Sequence, residues 1–200
     1  MTEKLFIYDF ETTGVKYWEN GIHQIAGRIR IDGTDVEKFN FHVRPFPDDV
    51  IEESALAVAG VTKEQIFNYP PPAQVFLKIK TMLNKYIDQY NNKDKFHLVG
   101  YNIAAFDNLF FREFFIKNNH KYFGSYFWSD PLDCFILAAE FFKRERDTFP
   151  DFKQATVAKR LGIHVDEKKL HDADYDIELC SQIYDMIGNP EFPKREGEEE

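Results

Sequence analysis

Cysteine is scarce in this chain of 200 residues, which contains only Cys134 and Cys180, far apart in apolar, helix-like segments. Two widely separated cysteines exclude a disulfide framework and a multi-cysteine zinc site. A single bridge between them stays open as an alternative, but the apolar surroundings predict buried free thiols.

Long hydrophobic runs and an excess of positive charge are also missing. No apolar run approaches the roughly 18–20 residues that span a bilayer, and no leader pattern opens the chain, so we expect a cytoplasmic protein with no membrane partner. The formal net charge of −9 excludes a protein that coats nucleic acid through a broad basic surface. It does not exclude a protein that grips a few nucleotides, because bound cations add positive charge that a residue count misses.

The composition is that of one globular domain with an acidic end. The chain is 44% hydrophobic and 30% charged, and 21 phenylalanines fall mostly at periodic positions that favour core packing. Residues 191–200 carry five Glu against Lys194 and Arg195. We therefore predict a single domain over residues 1–190 and a disordered acidic tail over residues 191–200.

Strand patterns dominate the first part of the chain. Buried or period-two patterns predict strands over Lys4–Phe10, Ile22–Ile31 and Val36–Val43, and Asp32-Gly33 between the last two is a hairpin turn signal. The chain is therefore expected to open with an antiparallel meander.

Strands then alternate with helices. Pro70-Pro71-Pro72 predicts the start of a helix whose apolar positions continue to Tyr90. The remaining predicted elements are a strand over Phe96–Tyr101, a helix over Phe106–Asn118, a short strand near Tyr126–Ser129, and helices over Leu132–Lys143, Phe152–Leu161 and Asp172–Ile187. This order predicts an α/β domain with a mixed five-stranded sheet, three strands antiparallel and two parallel, flanked by helices.

Two carboxylates stand at the end of the first strand. Asp9 and Glu11 are two residues apart, so their side chains project from the same face of the sheet. They repel each other and are costly to desolvate unless a cation lies between them, and oxygen ligands of this kind suit Mg²⁺ or Mn²⁺. Thr12-Thr13-Gly14 follows with hydroxyls and a flexible turn that could approach a phosphate. An ordinary acidic turn after a strand is the alternative.

Acidic residues also open two of the predicted helices. Asp107 ends the segment Asn102–Asp107, where a helix cap is the alternative interpretation. His171 and Asp176 would be about 140° apart on a helix, so His171 should precede the last helix and Asp176 should project from its first turns. A loop histidine with a pKa near neutrality is a candidate general base. The alternative is a surface histidine beside a helix start that favours aspartate.

In combination, these segments resemble a known family. Asp9-Phe10-Glu11-Thr12-Thr13-Gly14, then Asn102 to Phe106-Asp107, then His171 ahead of Asp176 are similar to the motifs of the DEDDh 3′–5′ exonucleases. That family includes ε-like proofreading subunits of DNA polymerase III and ribonuclease T-like enzymes. The resemblance covers about residues 4–188 in order, and Ala57–Thr62 also resembles a family segment.

Two details refine the resemblance. A sister class carries a tyrosine base four residues before the last aspartate, but Asp172 stands there, which indicates the histidine class. Asp172 is one helical turn from Asp176 and is a rival for the last metal ligand. Ala59 stands where many relatives have histidine before Gly60, which puts one substrate contact in doubt.

The resemblance implies a ribonuclease-H-like fold and a two-metal hydrolase. Asp9, Glu11, Asp107 and Asp176 would hold two divalent cations, Mg²⁺ or Mn²⁺, with Asp9 bridging them, and His171 would take a proton from the attacking water. The resemblance also makes three residues candidates for holding the terminal nucleotide, although Phe106 could equally be a core residue: Thr12, Asn102 and Phe106.

The implied substrate is a nucleic-acid 3′ end, single-stranded or frayed. DNA is the expected polymer, in proofreading or end trimming, and a proofreader of this length would need a separate polymerase chain as its partner. The alternatives are an RNA-trimming exonuclease of the same fold, a nuclease that cuts internally, and an inactive exonuclease-fold adaptor. The adaptor is disfavoured because all five catalytic positions are filled.

Overall fold

The computed structural model describes residues 2–170 and 172–188. The predictions for His171 and for the acidic tail over residues 191–200 therefore lie outside the described residues. Within the described ranges, no helix is both long enough and apolar enough to cross a membrane.

The chain opens with the predicted antiparallel meander. Strands β1 (Lys4–Thr12), β2 (Ile22–Ile31) and β3 (Thr34–His42) pair in sequence order. Asp32 and Gly33, between β2 and β3, have φ of 45° and 78°. Two consecutive residues in the left-handed region form the kind of tight turn whose twist matches that of a hairpin.

Two parallel strands complete the sheet. Strand β4 (His97–Gly100) runs parallel to β1, and β5 (Leu132–Asp133) runs parallel to β4, which gives the order β3-β2-β1-β4-β5. The prediction of a mixed five-stranded sheet is thus confirmed.

The predicted position of the fifth strand was wrong. The segment near Tyr126–Ser129 contributes only one bridge, from Phe127 to Phe96. Tyr126 and Phe127, whose aromatic side chains suggested a strand, are instead buried in the core. The true fifth strand is only two residues long, too short to show an alternating pattern.

Among the described residues, seven α-helices accompany the sheet: α1 (Glu53–Ala59), α2 (Lys63–Phe67), α3 (Pro72–Leu83), α4 (Asp107–Lys117), α5 (Cys134–Phe141), α6 (Gln154–Arg160) and α7 (Ala173–Ile187). The short α1 and α2 had no separate sequence prediction. The predicted continuation of α3 to Tyr90 was wrong: the helix ends at Leu83, and Tyr90 is exposed.

The sheet separates two hydrophobic clusters. Phe6, Tyr8 and Phe10 of β1 face a cluster built with residues of α3 and α4 and rich in phenylalanine, as predicted. Leu5 and Ile7 face the other cluster, built with residues of α5, α6 and α7. Because side chains alternate along a strand, Asp9 and Glu11 continue the face of Ile7, on the side of α7.

The two cysteines are free and buried, as predicted. Their Sγ atoms lie 3.7 Å apart between α5 and α7.

Candidate active site

The predicted acidic residues of β1 lie where three parallel strands end. β1, β4 and β5 are parallel neighbours, so their carboxyl ends meet at one edge of the sheet. Asp9 and Glu11 lie near the end of β1, Asn102 follows β4, and Asp133 ends β5. Ligand sites of open α/β sheets form at such an edge.

Helix α4 contributes Asp107 as its first residue. The side chain is only 4% exposed, and its Oδ1 accepts a hydrogen bond of 3.1 Å from the backbone N–H of Phe10. Phe10 lies between Asp9 and Glu11, so this bond fixes the third carboxylate against the strand that carries the first two.

Helix α7 brings Asp176 to the same edge, and a polar network holds the helix on the sheet. Arg28 of β2 pairs with Glu178 at 2.8 Å. Arg30 pairs with Asp185 at 2.5 Å and donates to Ser181 Oγ at 2.5 Å. These contacts lie on the helix C-terminal to Asp176, so they fix where the first turns of α7 are placed.

Asp133 organises the loop between β4 and α4. Its carboxylate accepts hydrogen bonds from the backbone N–H groups of Asn102 at 2.8 Å, Ala104 at 2.8 Å and Phe135 at 2.9 Å. Asn102 has a φ of 62°, a left-handed conformation that asparagine tolerates better than most residues. Sequence reasoning missed Asp133; the available signal was an aspartate immediately before a helix, which is a capping pattern.

The carboxylates raise one another's pKa values. Burial, and then the negative charge of Asp176, raise the pKa of Glu11 to about 7. Burial raises the pKa of Asp9 well above its usual value, and the charges of Asp107, Glu11 and Asp176 add to the effect. The four predicted ligands therefore interact electrostatically as one group.

Asp107 shows the same behaviour with one opposing influence. Its pKa is raised to about 7, chiefly by burial and also by the charges of Asp133 and Glu11, while hydrogen bonds from the backbone of Asp107 and Phe10 act in the lowering direction. Acidic side chains gathered in this way favour either protonation or a bound cation.

The donor set fits hard divalent ions, because all four side chains offer carboxylate oxygens. Among the residues that the structure describes, however, no three His, Cys, Asp or Glu side chains already stand close enough to enclose an ion.

The remaining predicted residues have different surroundings. Thr12 is half-buried, and its hydroxyl donates to the backbone oxygen of Gly14 at 2.7 Å. Phe106 is partly buried against the aromatic cluster, with its ring centroid 5.0 Å from that of Phe110. Asn102 is exposed and lines a cleft together with Asp176.

Asp172, the rival ligand, is an exposed helix cap. Its side chain accepts a hydrogen bond of 3.1 Å from the backbone N–H of Tyr175, and α7 begins at the next residue. A capping role accounts for this aspartate without a metal.

Comparison with known proteins agrees with the fold. The RNase_T exonuclease model matches residues 6–184. The chain belongs to this exonuclease family. The predicted membership of the DEDDh-type 3′–5′ exonucleases is thereby confirmed.

Two proteins to which this exonuclease-family chain is similar are larger than the chain. A DNA polymerase III PolC-type protein of Mycoplasmopsis pulmonis is 23% identical over 184 residues, which cover 92% of this chain and 11% of that protein. The structure of E. coli Exonuclease I in complex with a dT13 oligonucleotide has a TM-score of 0.73 at 18% identity, covering 94% of this chain and 41% of the other.

A zinc-bound form of the E. coli Exonuclease I complex with single-stranded DNA has a TM-score of 0.71 at 18% identity and covers 92% of this chain and 40% of the other. The chain thus spans less than half the length of these relatives. The structural matches confirm the predicted ribonuclease-H-like exonuclease fold.

Proposed function

We propose that this chain is a metal-dependent 3′–5′ exonuclease that releases nucleoside monophosphates from the 3′ end of single-stranded or frayed DNA. The observation that carries the proposal is the gathering of acidic side chains at the edge where β1 and β4 end. Asp107 is hydrogen-bonded to the strand between Asp9 and Glu11. The charge of Asp176 raises the pKa values of Asp9 and Glu11. Acids from three separate parts of the chain meet there, which no local capping role explains.

Asp9, Glu11 and Asp176 would hold one cation, and Asp9 together with Asp107 would hold a second. Two Mg²⁺ or Mn²⁺ ions would supply activation of a water molecule and neutralisation of charge at the leaving oxygen. The water oxygen forms a bond to phosphorus, the bond from phosphorus to the 3′ oxygen of the preceding nucleotide breaks, and that oxygen takes a proton from solvent. His171 is proposed to accept the proton of the water.

DNA is proposed as the substrate on two grounds. The Exonuclease I structures that share this fold contain DNA oligonucleotides, and the curated relative is a DNA polymerase. The net charge of −9 does not distinguish DNA from RNA, but it suits a protein that holds a short single strand at its end better than one that covers a duplex. Proofreading for a separate polymerase chain, in the cytoplasm, is the finer part of the proposal.

Product analysis tests the function. The purified protein is incubated with 5′-labelled single-stranded DNA, the matching RNA, and a duplex with or without a 3′ mismatch, in Mg²⁺, Mn²⁺ or EDTA. We expect a ladder that shortens from the 3′ end of the DNA, stops in EDTA and is lost in Asp9→Asn. Asp174→Asn serves as the matched control, because Asp174 is an exposed aspartate on α7 that is not one of the proposed ligands.

The same assay separates the alternatives. Preferential shortening of RNA would replace the DNA proposal with RNA trimming, and short internal fragments would indicate an endonuclease. Binding without any cleavage in either metal would indicate an adaptor.

A further inference from the structure

A cleft of about 660 Å³ opens beside the acidic residues, on the α5 and α6 side of Asp176. Its size lies within the range of pockets that hold drug-sized ligands, about 300–1,000 Å³. Six of its lining residues matter here, three aromatic and three polar: Tyr101, Phe135, Phe152, Asn102, Arg146 and Lys153.

The aromatic side of the cleft is rigid. Phe152 is only 7% exposed, and its backbone oxygen accepts a hydrogen bond of 2.6 Å from the Tyr101 hydroxyl. The Phe135 ring meets both Tyr101 and Phe152 edge to face, with centroid separations of 5.9 Å and 5.5 Å. Tyr101 and Phe135, which are partly exposed, are the rings that can stack with nucleobases, and the buried Phe152 holds them in place.

The polar side of the cleft carries positive charge in an acidic protein. The Arg146 guanidinium lies 4.3 Å from the centroid of the Phe152 ring, and both Arg146 and Lys153 are exposed. Neither forms an ion pair within the described part of the chain. The nearby Asp151 instead accepts hydrogen bonds from Thr156 Oγ1 at 2.6 Å and from the backbone N–H of Lys153 at 3.1 Å.

The cleft is continuous with the proposed catalytic site. Asn102 and Asp176 line it, and the Gln154 side chain donates a hydrogen bond of 2.5 Å to the backbone oxygen of Asp176, which ties α6 to α7. Under the proposed function, the terminal nucleotide contacts Thr12, Asn102 and Phe106, so Asn102 marks the point where that nucleotide meets the cleft. The scissile phosphate lies at the carboxylates. The part of the strand before that phosphate then needs a path, and this cleft opens beside Asp176, one of the proposed metal ligands.

We propose that this cleft binds the nucleotides immediately 5′ of the scissile bond in single-stranded DNA, through base stacking on its aromatic side and phosphate contacts from Arg146 and Lys153. The inference rests on the proposed function for its direction along the strand. Strand binding by the cleft itself can be measured without the reaction.

The salt dependence of binding tests the proposal. Dissociation constants for a short 5′-fluorescein oligothymidylate are measured by fluorescence anisotropy over a series of NaCl concentrations, with Ca²⁺ in place of Mg²⁺. For single strands the slope of log K against log salt changes by about 0.7 for each phosphate contact. We expect the double variant Arg146→Gln/Lys153→Gln to bind more weakly and to have a slope shallower by about 1.4.

Two further variants separate charge contacts from general damage. Lys63→Gln/Lys78→Gln removes two exposed lysines outside the cleft and should keep the wild-type slope. Lys63 lies 5.8 Å from the centroid of the Phe67 ring, so it is a cation over an aromatic ring, as Arg146 is over Phe152. Arg146→Lys/Lys153→Arg keeps both charges and should restore most of the slope. The thermal midpoint of each variant is measured, and only variants whose midpoint matches that of wild type are compared.

An unchanged slope in Arg146→Gln/Lys153→Gln, or the same loss in the control pair, would overturn the proposal. Hydrolysis of the same oligonucleotide in Mg²⁺ is scored separately. Shortening with an unchanged slope refutes only the cleft, whereas a changed slope without shortening refutes only the exonuclease function.

Discussion

The backbone N–H of Phe10 donates a hydrogen bond of 3.1 Å to Oδ1 of Asp107, which is 97 residues further along the chain. This bond joins the start of α4 to the strand that carries Asp9 and Glu11. Moving α4 away would leave a buried amide without its partner, at a cost of about 1–3 kcal/mol. The third carboxylate is therefore held at the site by the backbone of the strand that supplies the first two.

The fourth ligand is tested by comparing two aspartates one helical turn apart. We expect Asp176→Asn to lower kcat by about 100-fold or more, because a metal contact contributes several kcal/mol to the transition state. Asp172→Asn should stay near wild type, because asparagine caps a helix as well as aspartate does. The kcat of each variant is measured by steady-state kinetics in Mg²⁺. A large loss of kcat in Asp172→Asn, with Asp176→Asn near wild type, would make Asp172 the ligand.

Glu11 should destabilise the metal-free protein at neutral and higher pH. Its pKa is raised from 4.5 to about 7 in the folded state. Between those values the folded chain holds more protons than the unfolded chain, so this group's contribution to the free energy of unfolding is full below about 4.5 and is lost as the pH rises through about 7. Thermal midpoints in EDTA should therefore be higher for Glu11→Gln than for wild type at pH above about 7.

The wild-type pH profile alone cannot report on Glu11, because His23 changes the free energy of unfolding in the opposite direction. The difference between wild type and Glu11→Gln isolates the contribution of Glu11. Burial lowers the pKa of His23 to about 4, and the charge of His42 contributes. The unfolded chain therefore holds more protons than the folded chain between pH of about 4 and the usual pKa of 6.5, so His23 increases the free energy of unfolding as the pH rises through that range. The gap between Glu11→Gln and wild type should shrink towards acid pH and reverse in saturating Mg²⁺. An exposed glutamate on α1, Glu53→Gln, provides the control. A gap that does not depend on pH would contradict the assigned coupling.

Asp133 should be essential for the loop that follows β4. In Asp133→Ala, three partly buried backbone N–H groups lose their acceptor, and the cost of about 1–3 kcal/mol for a fully buried donor without a partner is the upper limit for each. We expect a lower free energy of unfolding in urea and a lower kcat, because the loop leads into Asp107. The exposed Asp130→Ala is the control. Equal stability of the two variants would show that the Asp133 contacts contribute little.

His171 remains a prediction from the sequence. If it accepts the proton of the attacking water, His171→Ala should lower kcat by about 10²–10⁴-fold and leave the Mg²⁺ dependence nearly unchanged. The wild-type rate should also fall below neutral pH as the histidine protonates. A wild-type rate in the variant, or a flat profile between acid and neutral pH, would remove His171 from the mechanism.

Much of the sheet could be predicted because its information is local. The alternation in β3, the Asp32-Gly33 turn and the apolar run of β1 each lie within a few residues. These features were enough for the antiparallel meander. Parallel pairing followed from the alternation of strands with helices, which is also visible along the chain.

The elements that the sequence did not reveal depend on distant contacts. β5 has two residues and exists because Leu132 and Asp133 pair with β4, which no local pattern records. Tyr126 resembles a strand residue but is buried in the aromatic cluster. The role of Asp133 likewise depends on backbone groups around Asn102, 31 residues away.

The sequence predicts only part of the convergence of the four acidic residues. The spacing of Asp9 and Glu11 places them on one face of a strand, but Asp107 and Asp176 were joined to them through the family resemblance. In the fold, a hydrogen bond to Phe10 fixes Asp107. The ion pairs of Arg28 and Arg30 with α7 hold the helix that carries Asp176. Neither contact could be recognised before the three-dimensional structure was known.

The proposed chemistry depends on four carboxylates forming one metal site, and counting bound Mn²⁺ tests this most directly. Titration of wild type, Asp9→Asn and the control Asp174→Asn is followed by electron paramagnetic resonance of free Mn²⁺. We expect wild type and the control to bind about two ions per chain, and Asp9→Asn to lose at least one of them. Wild type that binds no Mn²⁺, or Asp9→Asn that binds as wild type does, would contradict the assignment of these residues as a metal centre.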